Sequence, residues 1–305
     1  MSGRPVTTRM SADMLDMETV TVTDKDGASF NMRTYGDIHF PSFSKGDLKE
    51  RVDTFKNIKV REDDVFIASY PKAGKHWIYE ITNMLLTGKV DFMTSYATSG
   101  SLGETCFEDM PSPRILVSHL LFQNFPSEIR DKKCRVIYIN RNIKDCSVSF
   151  YCHMKKMSEG YNGTFWAFLP LFTCGQVPYG SWFEHARQWE AALEGQSNLS
   201  MLYLKYEDMK QDLMTNIRNI AKFLGVEENQ ELFDKIVEKC DFKSMKKSGT
   251  FGEPWKSLTK DGKSPICRKG EVGDWKNWFT VAQNEQLDEI YKKEMKDSKF
   301  TFQYT

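Results

Sequence analysis

From Val65 onward the chain alternates short, densely apolar runs with longer segments whose apolar positions recur at helical spacing. VFIAS at 65–69 precedes WIYEITNMLLTG, and RILVSHL follows at 114–120. RVIYIN at 135–140 leads into a helical pattern from Lys144, and MLYLKY at 201–206 leads into another from Met209. Runs this short and this apolar suit buried strands, and strands alternating with helices predict a parallel sheet with crossover connections. After the first run, Trp77, Ile78, Ile81, Met84 and Leu85 recur at helical spacing, and Gly88 sits where that helix would stop.

Residues 1–62 are polar and turn-rich, with HFPSF at 39–43 and a helix expected from Lys45 towards the charged REDD run. This segment is expected to pack on one α/β domain spanning 63–305. The stretch from Gly160 to Gly180, GYNGTFWAFLPLFTCGQVPYG, has the composition of a loop or broken helix, the kind of segment that forms lids and pocket walls. A Gly-, Lys- and Ser-rich stretch covers Ser248–Gly273, and a last helix is expected from about Val281.

Composition narrows the function classes. The 305 residues, 40% apolar and 13% aromatic, suffice for one large core. With 42 basic and 42 acidic residues the formal charge is zero, so no global field draws the chain to nucleic acid or an anionic membrane, and any anion site must be local. No apolar run suggests a secretion signal or a membrane span. The seven scattered cysteines form no CxxC pair, which predicts thiols in a reducing cytoplasm rather than disulfides or a zinc site.

The segment SYPKAGKHW, 69–77, joins a strand pattern to a helix pattern, where backbone N–H groups and a helix N-terminus converge on an anion. Against GxxxxGK[ST] it keeps Gly74 and Lys75 but places Ser69 at the first glycine and His76 at the magnesium-holding hydroxyl. A phosphate loop that needs no metal is the expectation.

Strand-YPKxGxxW-helix resembles the 5′-phosphosulfate loop of the cytosolic sulfotransferases, which use 3′-phosphoadenosine 5′-phosphosulfate (PAPS). Three further segments follow in the family's order: RVIYINRNIKDCSVSFY at 135–151, YEDM at 206–209 and RKGEVGDWK at 268–276. Together they cover roughly residues 60–290. The resemblance implies a doubly wound parallel sheet and transfer of a sulfuryl group from PAPS to a hydroxyl, a phenol or an alcohol, of a small molecule, with 3′-phosphoadenosine 5′-phosphate (PAP) as product and no metal. It also implies roles. Lys72, Ala73, Gly74, Lys75 and His76 would hold the phosphosulfate. Arg141, Ser149, Arg268, Lys269 and Gly270 would hold the 3′-phosphate, and Trp77, Tyr206, Cys240 and Phe242 the adenine.

Sulfuryl transfer needs a base for the acceptor proton and a cation for the departing phosphate. His119, ending the run RILVSH, falls on the family's catalytic histidine, and Lys72 on its loop lysine, which the counterpart of Ser149 also contacts. The family usually reads KTHLP where this chain has VSHLL, so Val117 replaces a lysine. Lys75 and His76 replace two hydroxyl residues, and Cys240 replaces a threonine near the adenine.

Acceptor-side candidates are Phe40, Phe92, His119, His153 and Phe251, with Phe43, Tyr96, Phe165 and Trp166 behind them, and the N-terminal segment would form part of that side. KNWFTVAQNE at 276–285 matches the family's dimer signature KxxxTVxxxE at Lys276, Thr280, Val281 and Glu285, which implies a homodimer. Two other readings stand beside this one: a phosphate-loop small-molecule kinase, and a non-catalytic nucleotide-binding protein.

Overall fold

The computed structural model describes residues 18–92, 97–98, 107–195, 199–248 and 255–305. The N-terminal stretch is not all turns. β1 (Glu18–Thr23), β2 (Ser29–Tyr35) and β3 (Ile38–Pro41) form an antiparallel sheet in that order. Alternation along β2 sends Phe30 and Met32 inward, where they join Phe40 in the main core. The helix expected from Lys45 starts three residues later as α1 (Leu48–Lys56), because the Asp47 carboxylate accepts the Glu50 N–H and caps it there.

The central sheet is parallel throughout: β4 (Val65–Ser69), β5 (Ala97–Thr98), β6 (Ile115–Ser118), β7 (Arg135–Asn140) and β8 (Ser200–Lys205), in spatial order β5-β6-β4-β7-β8. Its strands read as apolar runs because both faces are covered. Val65, Ile67, Val117, Ile137 and Ile139 point to a layer containing α2 (Lys75–Thr87) and later helices of the chain. Phe66, Ala68, Leu116, Val136 and Tyr138 point to the opposite layer. A five-stranded parallel sheet wound in both directions is the doubly wound class the resemblance implied.

The remaining helices run in chain order: α3 (Glu128–Asp131), α4 (Ile143–Lys156), α5 (Phe165–Thr173), α6 (Trp182–Gly195), α7 (Tyr206–Gln211), α8 (Leu213–Leu224), α9 (Gln230–Lys239), α10 (Phe242–Lys247) and α11 (Val281–Glu294). The 160–180 segment is therefore a helix interrupted in its composition by Pro170, followed by a turn. No described helix is long and apolar enough to cross a membrane.

At the amino ends of the strands, the fully buried Arg114 donates to the Asp64 carboxylate and to the carbonyls of Phe107 and Lys59 at 3.0 and 2.9 Å. A buried pair this well satisfied fixes β6 against the entry to β4, and losing one partner would strand a charge at a cost of about 3–5 kcal/mol. The ends that carry chemistry lie opposite.

Candidate active site

In a doubly wound sheet a crevice opens at the carboxyl ends of the strands, where successive connections leave for opposite faces. Here that happens at β4, between β6 and β7. Four strand ends deliver the chemistry: residues 70–74 after β4, His119 after β6, Arg141 after β7 and Tyr206 after β8. Pro71, Lys72, Gly74, His119, Arg141 and Tyr206 from these ends line one cavity of about 180 Å³.

The loop after β4 is tight. The Ala73 N–H donates to the Tyr70 carbonyl at 3.2 Å, and the Gly74 carbonyl accepts the Trp77 and Ile78 N–H groups at 3.0 and 3.2 Å, closing directly onto α2. Gly74 has φ 116°, and a Cβ there would come within 3.1 Å of both Ile139 and Tyr206, so only glycine fits. Lys72 holds φ 70°, a left-handed conformation that costs a residue with a side chain about 1–3 kcal/mol. Its Nζ donates to the Pro265 carbonyl at 3.1 Å, and burial pulls its ammonium down to about 8. Ser149 shares the cavity wall, but Lys72 is restrained by Pro265 and not by the serine.

His119 donates from Nδ1 to the Ser69 carbonyl at 2.8 Å. A carbonyl only accepts, so this bond fixes the tautomer and leaves the lone pair on Nε2. Burial, and then the charge of Lys75, hold the ring well below the ordinary histidine range, so it is neutral at pH 7.

A second group of charges lies where β7 meets residues 268–275. The Arg141 guanidinium donates to the Glu271 carbonyl at 2.8 Å, and its carbon stands 4.2 Å from the Tyr206 ring centre. Asp145, in the first turn of α4, accepts the Gly273 and Trp275 N–H groups at 2.8 and 3.0 Å and so ties that segment to the sheet. Arg268 and Lys269 both pair with the buried Asp274. Burial opposes the Asp274 charge, but hydrogen bonds from Lys269, Asn277 and Arg268 hold its carboxyl down to about 2.

Two observations fit this cavity to a polyanionic nucleotide. The Nε atoms of Arg141 and Arg268 are buried without an acceptor, and a buried donor left unpaired is costly unless a ligand meets it. Aromatic rings wall the space between the two charged ends. Trp77 stands edge-on to Tyr206 at 5.6 Å with its Nε1–H held by the Cys240 carbonyl at 3.0 Å. Phe242 presses on Gly270, where a Cβ would stand 2.1 Å from the ring. The Cys240 thiol is turned to the Met84 sulfur at 3.9 Å, so this residue contributes its carbonyl to the wall.

Of the residues expected at the donor, Lys72, Gly74, Lys75, His76, Trp77, Arg141, Ser149, Tyr206, Cys240, Phe242, Arg268, Lys269 and Gly270 all line the cavity. Ala73 lies behind it, fully buried. On the acceptor side the structure redraws the set. His119, His153 and Phe43 line the cavity, whereas Phe40 is fully buried behind Tyr179, edge-on at 5.8 Å. Phe92 packs on the α2 and α9 layer beneath Lys239. Phe165 packs on Tyr151 and Trp278, and Trp166 is 46% exposed under Lys25. Phe251 and Tyr96 lie outside the described residues. Tyr179 and Trp255 were missed by sequence reasoning: Tyr179 packs on the His119 ring at 5.0 Å, and Trp255 meets Phe43 and His153 edge-on at 5.8 and 5.6 Å. A Pro-Tyr-Gly turn signal at 178–180 was the available hint of the first.

Cations at both ends of an aromatic wall, with a neutral imidazole beside one of them, define a nucleotide-dependent group-transfer site on an α/β sheet. The family described as sulfotransferase domain matches residues 62–299. Sulfotransferase 1C2 of Homo sapiens is 36% identical over 81% of this chain and 88% of its own length, and sulfotransferase 1E1 of Bos taurus is 35% identical over 83% and 92%. Among solved structures, mouse sulfotransferase SULT7A1 complexed with PAP superposes with a TM-score of 0.74 at 32% identity, covering 88% of this chain and 96% of that one. The chain belongs to the cytosolic sulfotransferase family: it moves a sulfuryl group from PAPS to a small-molecule hydroxyl and yields PAP. The kinase and non-catalytic readings find no support in these comparisons.

Proposed function

We propose that Lys72 and His119 are the reacting pair and that the acceptor is a small hydroxyl compound with an apolar, aromatic body. The observation that carries this is the fixed tautomer of His119, which leaves Nε2 as its proton acceptor on a residue that lines the same cavity as Lys72. The donor, when bound, supplies an activated sulfuryl group. His119 then takes the acceptor proton at Nε2, and the Lys72 ammonium, already desolvated, stabilises charge gathering on the departing phosphate. Arg141, Ser149, Arg268, Lys269 and Gly270 hold the 3′-phosphate, and Trp77, Tyr206 and Phe242 the base. At the other end Phe43, Met154, Tyr179 and Trp255 give an apolar lining, and His153 adds one polar group. A screen of phenols, alcohols, sterols and amines with sulfur-labelled PAPS tests the acceptor class. Aromatic hydroxyl compounds should take the label, and labelling of amines alone would overturn the reading.

The chain is further read as a homodimer. Val281 is 75% exposed at the start of α11, next to exposed Lys276, Thr280 and Glu285, and an apolar side chain so exposed within a self-complementary charge pattern suits a small isologous contact. Glu285→Lys should give active monomers by light scattering; an unmutated protein that is already monomeric would remove the proposal. A cytoplasmic location agrees with the six described cysteines, all free. Cell fractionation that recovers the protein with membranes would contradict it.

A further inference from the structure

The first residue of α2 is in an unfavourable place by every ordinary criterion. Lys75 is 6% exposed, and among the described residues its ammonium has no hydrogen-bond or ion-pair partner. It also sits at a helix N-terminus, where the backbone dipoles disfavour a cation. Burial alone pulls the group down to about 7, and its charge lowers the proton affinity of both His76 and His119. A largely buried cation on the cavity wall that weakens the neighbouring base is a cost unless an anion faces it. The cost is offset only when an anion arrives.

Which end of the donor supplies that anion follows from the neighbours. Arg141, Arg268 and Lys269 gather where β7 meets residues 268–275, whereas Lys75 begins α2 directly after the loop of Lys72 and lines the cavity with Lys72 and His119. Val117, two residues before His119, cannot contribute charge. Its side chain is fully buried in the apolar layer it shares with Ile78 and Ile81 of α2. The first turn of α2 lies over that layer at the carboxyl end of β4, so a cation on the helix and a cation at position 117 would serve the same space from two elements.

We infer that the Lys75 ammonium contacts the sulfuryl end of the bound donor and supplies, from the helix, the positive charge that Val117 does not supply from the strand. This rests on the reading of Lys72 and His119 as the reacting pair. Lys75 thereby becomes a catalytic residue, acting on charge that the transferring group carries and PAP lacks.

The test is single-turnover transfer with labelled PAPS, paired with calorimetry of PAP, on Lys75→Met, Lys75→Arg and the double variant Lys75→Met with Val117→Lys. Lys75→Met should lose transfer by on the order of 10²-fold, as for removal of one donor to developing charge. It should bind PAP nearly as the unmutated protein does, which also shows that it is folded. Lys75→Arg should keep most of the rate. A lysine at 117 should recover part of what Lys75→Met loses, since relocated charge rescues an electrostatic role and not a structural one. Unchanged transfer in Lys75→Met, or PAP affinity falling in step with transfer, would overturn the assignment. His119→Ala measured alongside separates the two readings: full transfer in that variant with loss in Lys75→Met removes the reacting pair and leaves the Lys75 contact standing.

Discussion

Replacing His119 by alanine should lower sulfuryl transfer by about 10²–10⁴-fold, the range for loss of a general base, with PAP binding nearly unchanged. The argument is geometric before it is electrostatic. The Nδ1–H bond to the Ser69 carbonyl at 2.8 Å holds the ring at the end of β6 and leaves one nitrogen able to accept a proton. Burial and Lys75 keep that nitrogen unprotonated at pH 7. Lys72 is tied to the Pro265 carbonyl, and His76 stands in the first turn of α2, not at the end of β6. His119→Asn sharpens the experiment, because an amide N–H can still donate to the Ser69 carbonyl while offering no base. Both variants should fall together in single-turnover assays. Transfer at the unmutated rate in either one takes His119 out of the chemistry.

The second large effect belongs to Arg141. The unmutated protein should bind PAP without magnesium at least ~10²-fold more tightly than ATP, because two charge-assisted hydrogen bonds of about 1.5 kcal/mol each to the 3′-phosphate already give that factor. Arg141→Ala should erase most of the preference. Arg268 and Lys269 cannot make up the loss, since both share the Asp274 carboxylate and a phosphate must compete for them. The planar fork of Arg141, held by the Glu271 carbonyl at 2.8 Å and lying 3.8 Å from the Asp145 carboxylate, keeps its Nε buried and unpaired for a phosphate oxygen. Calorimetry of PAP and ATP, with and without magnesium, decides it. ATP binding as tightly as PAP in the unmutated protein would refute the assignment.

The donor half of the site was legible in the sequence for a physical reason. VFIAS and RVIYIN are buried on both faces, so their apolar runs are unbroken, and whatever follows each run must sit at the same edge of the sheet. The loop that carries Lys72 was thus placed by pattern as well as by resemblance, whereas Arg141 was assigned by resemblance. The antiparallel sheet of β1–β3 was not legible, because β1 reads ETVTVT with no buried position and β2 buries two residues in seven. A stripe that weak resembles a loop. The acceptor side failed differently. Phe40 and Phe43 are three residues apart and of one type, yet the first is fully buried behind Tyr179 and the second faces the cavity. Hydrophobicity cannot separate them, since core and pocket wall ask for the same side chain. Tyr179 was hidden for another reason: Pro178 and Gly180 announce the turn, in which Tyr179 holds φ 67°, but not that its ring packs on His119.

That Lys72, His119, Arg141 and Tyr206 each hang from the end of a strand in one hydrogen-bonded sheet has a corollary for how such a chain diverges. Sliding Lys72, His119 or Arg141 would mean shifting the register of a strand buried on both faces. The residues facing the other end of the cavity include Phe43 after β3, Pro178 and Tyr179 before α6, and Trp255, which lie outside the parallel sheet and can be recut without disturbing that register. If these residues meet the acceptor as proposed, sequence drift in their segments would change what is sulfated while the currency of the reaction stayed the same.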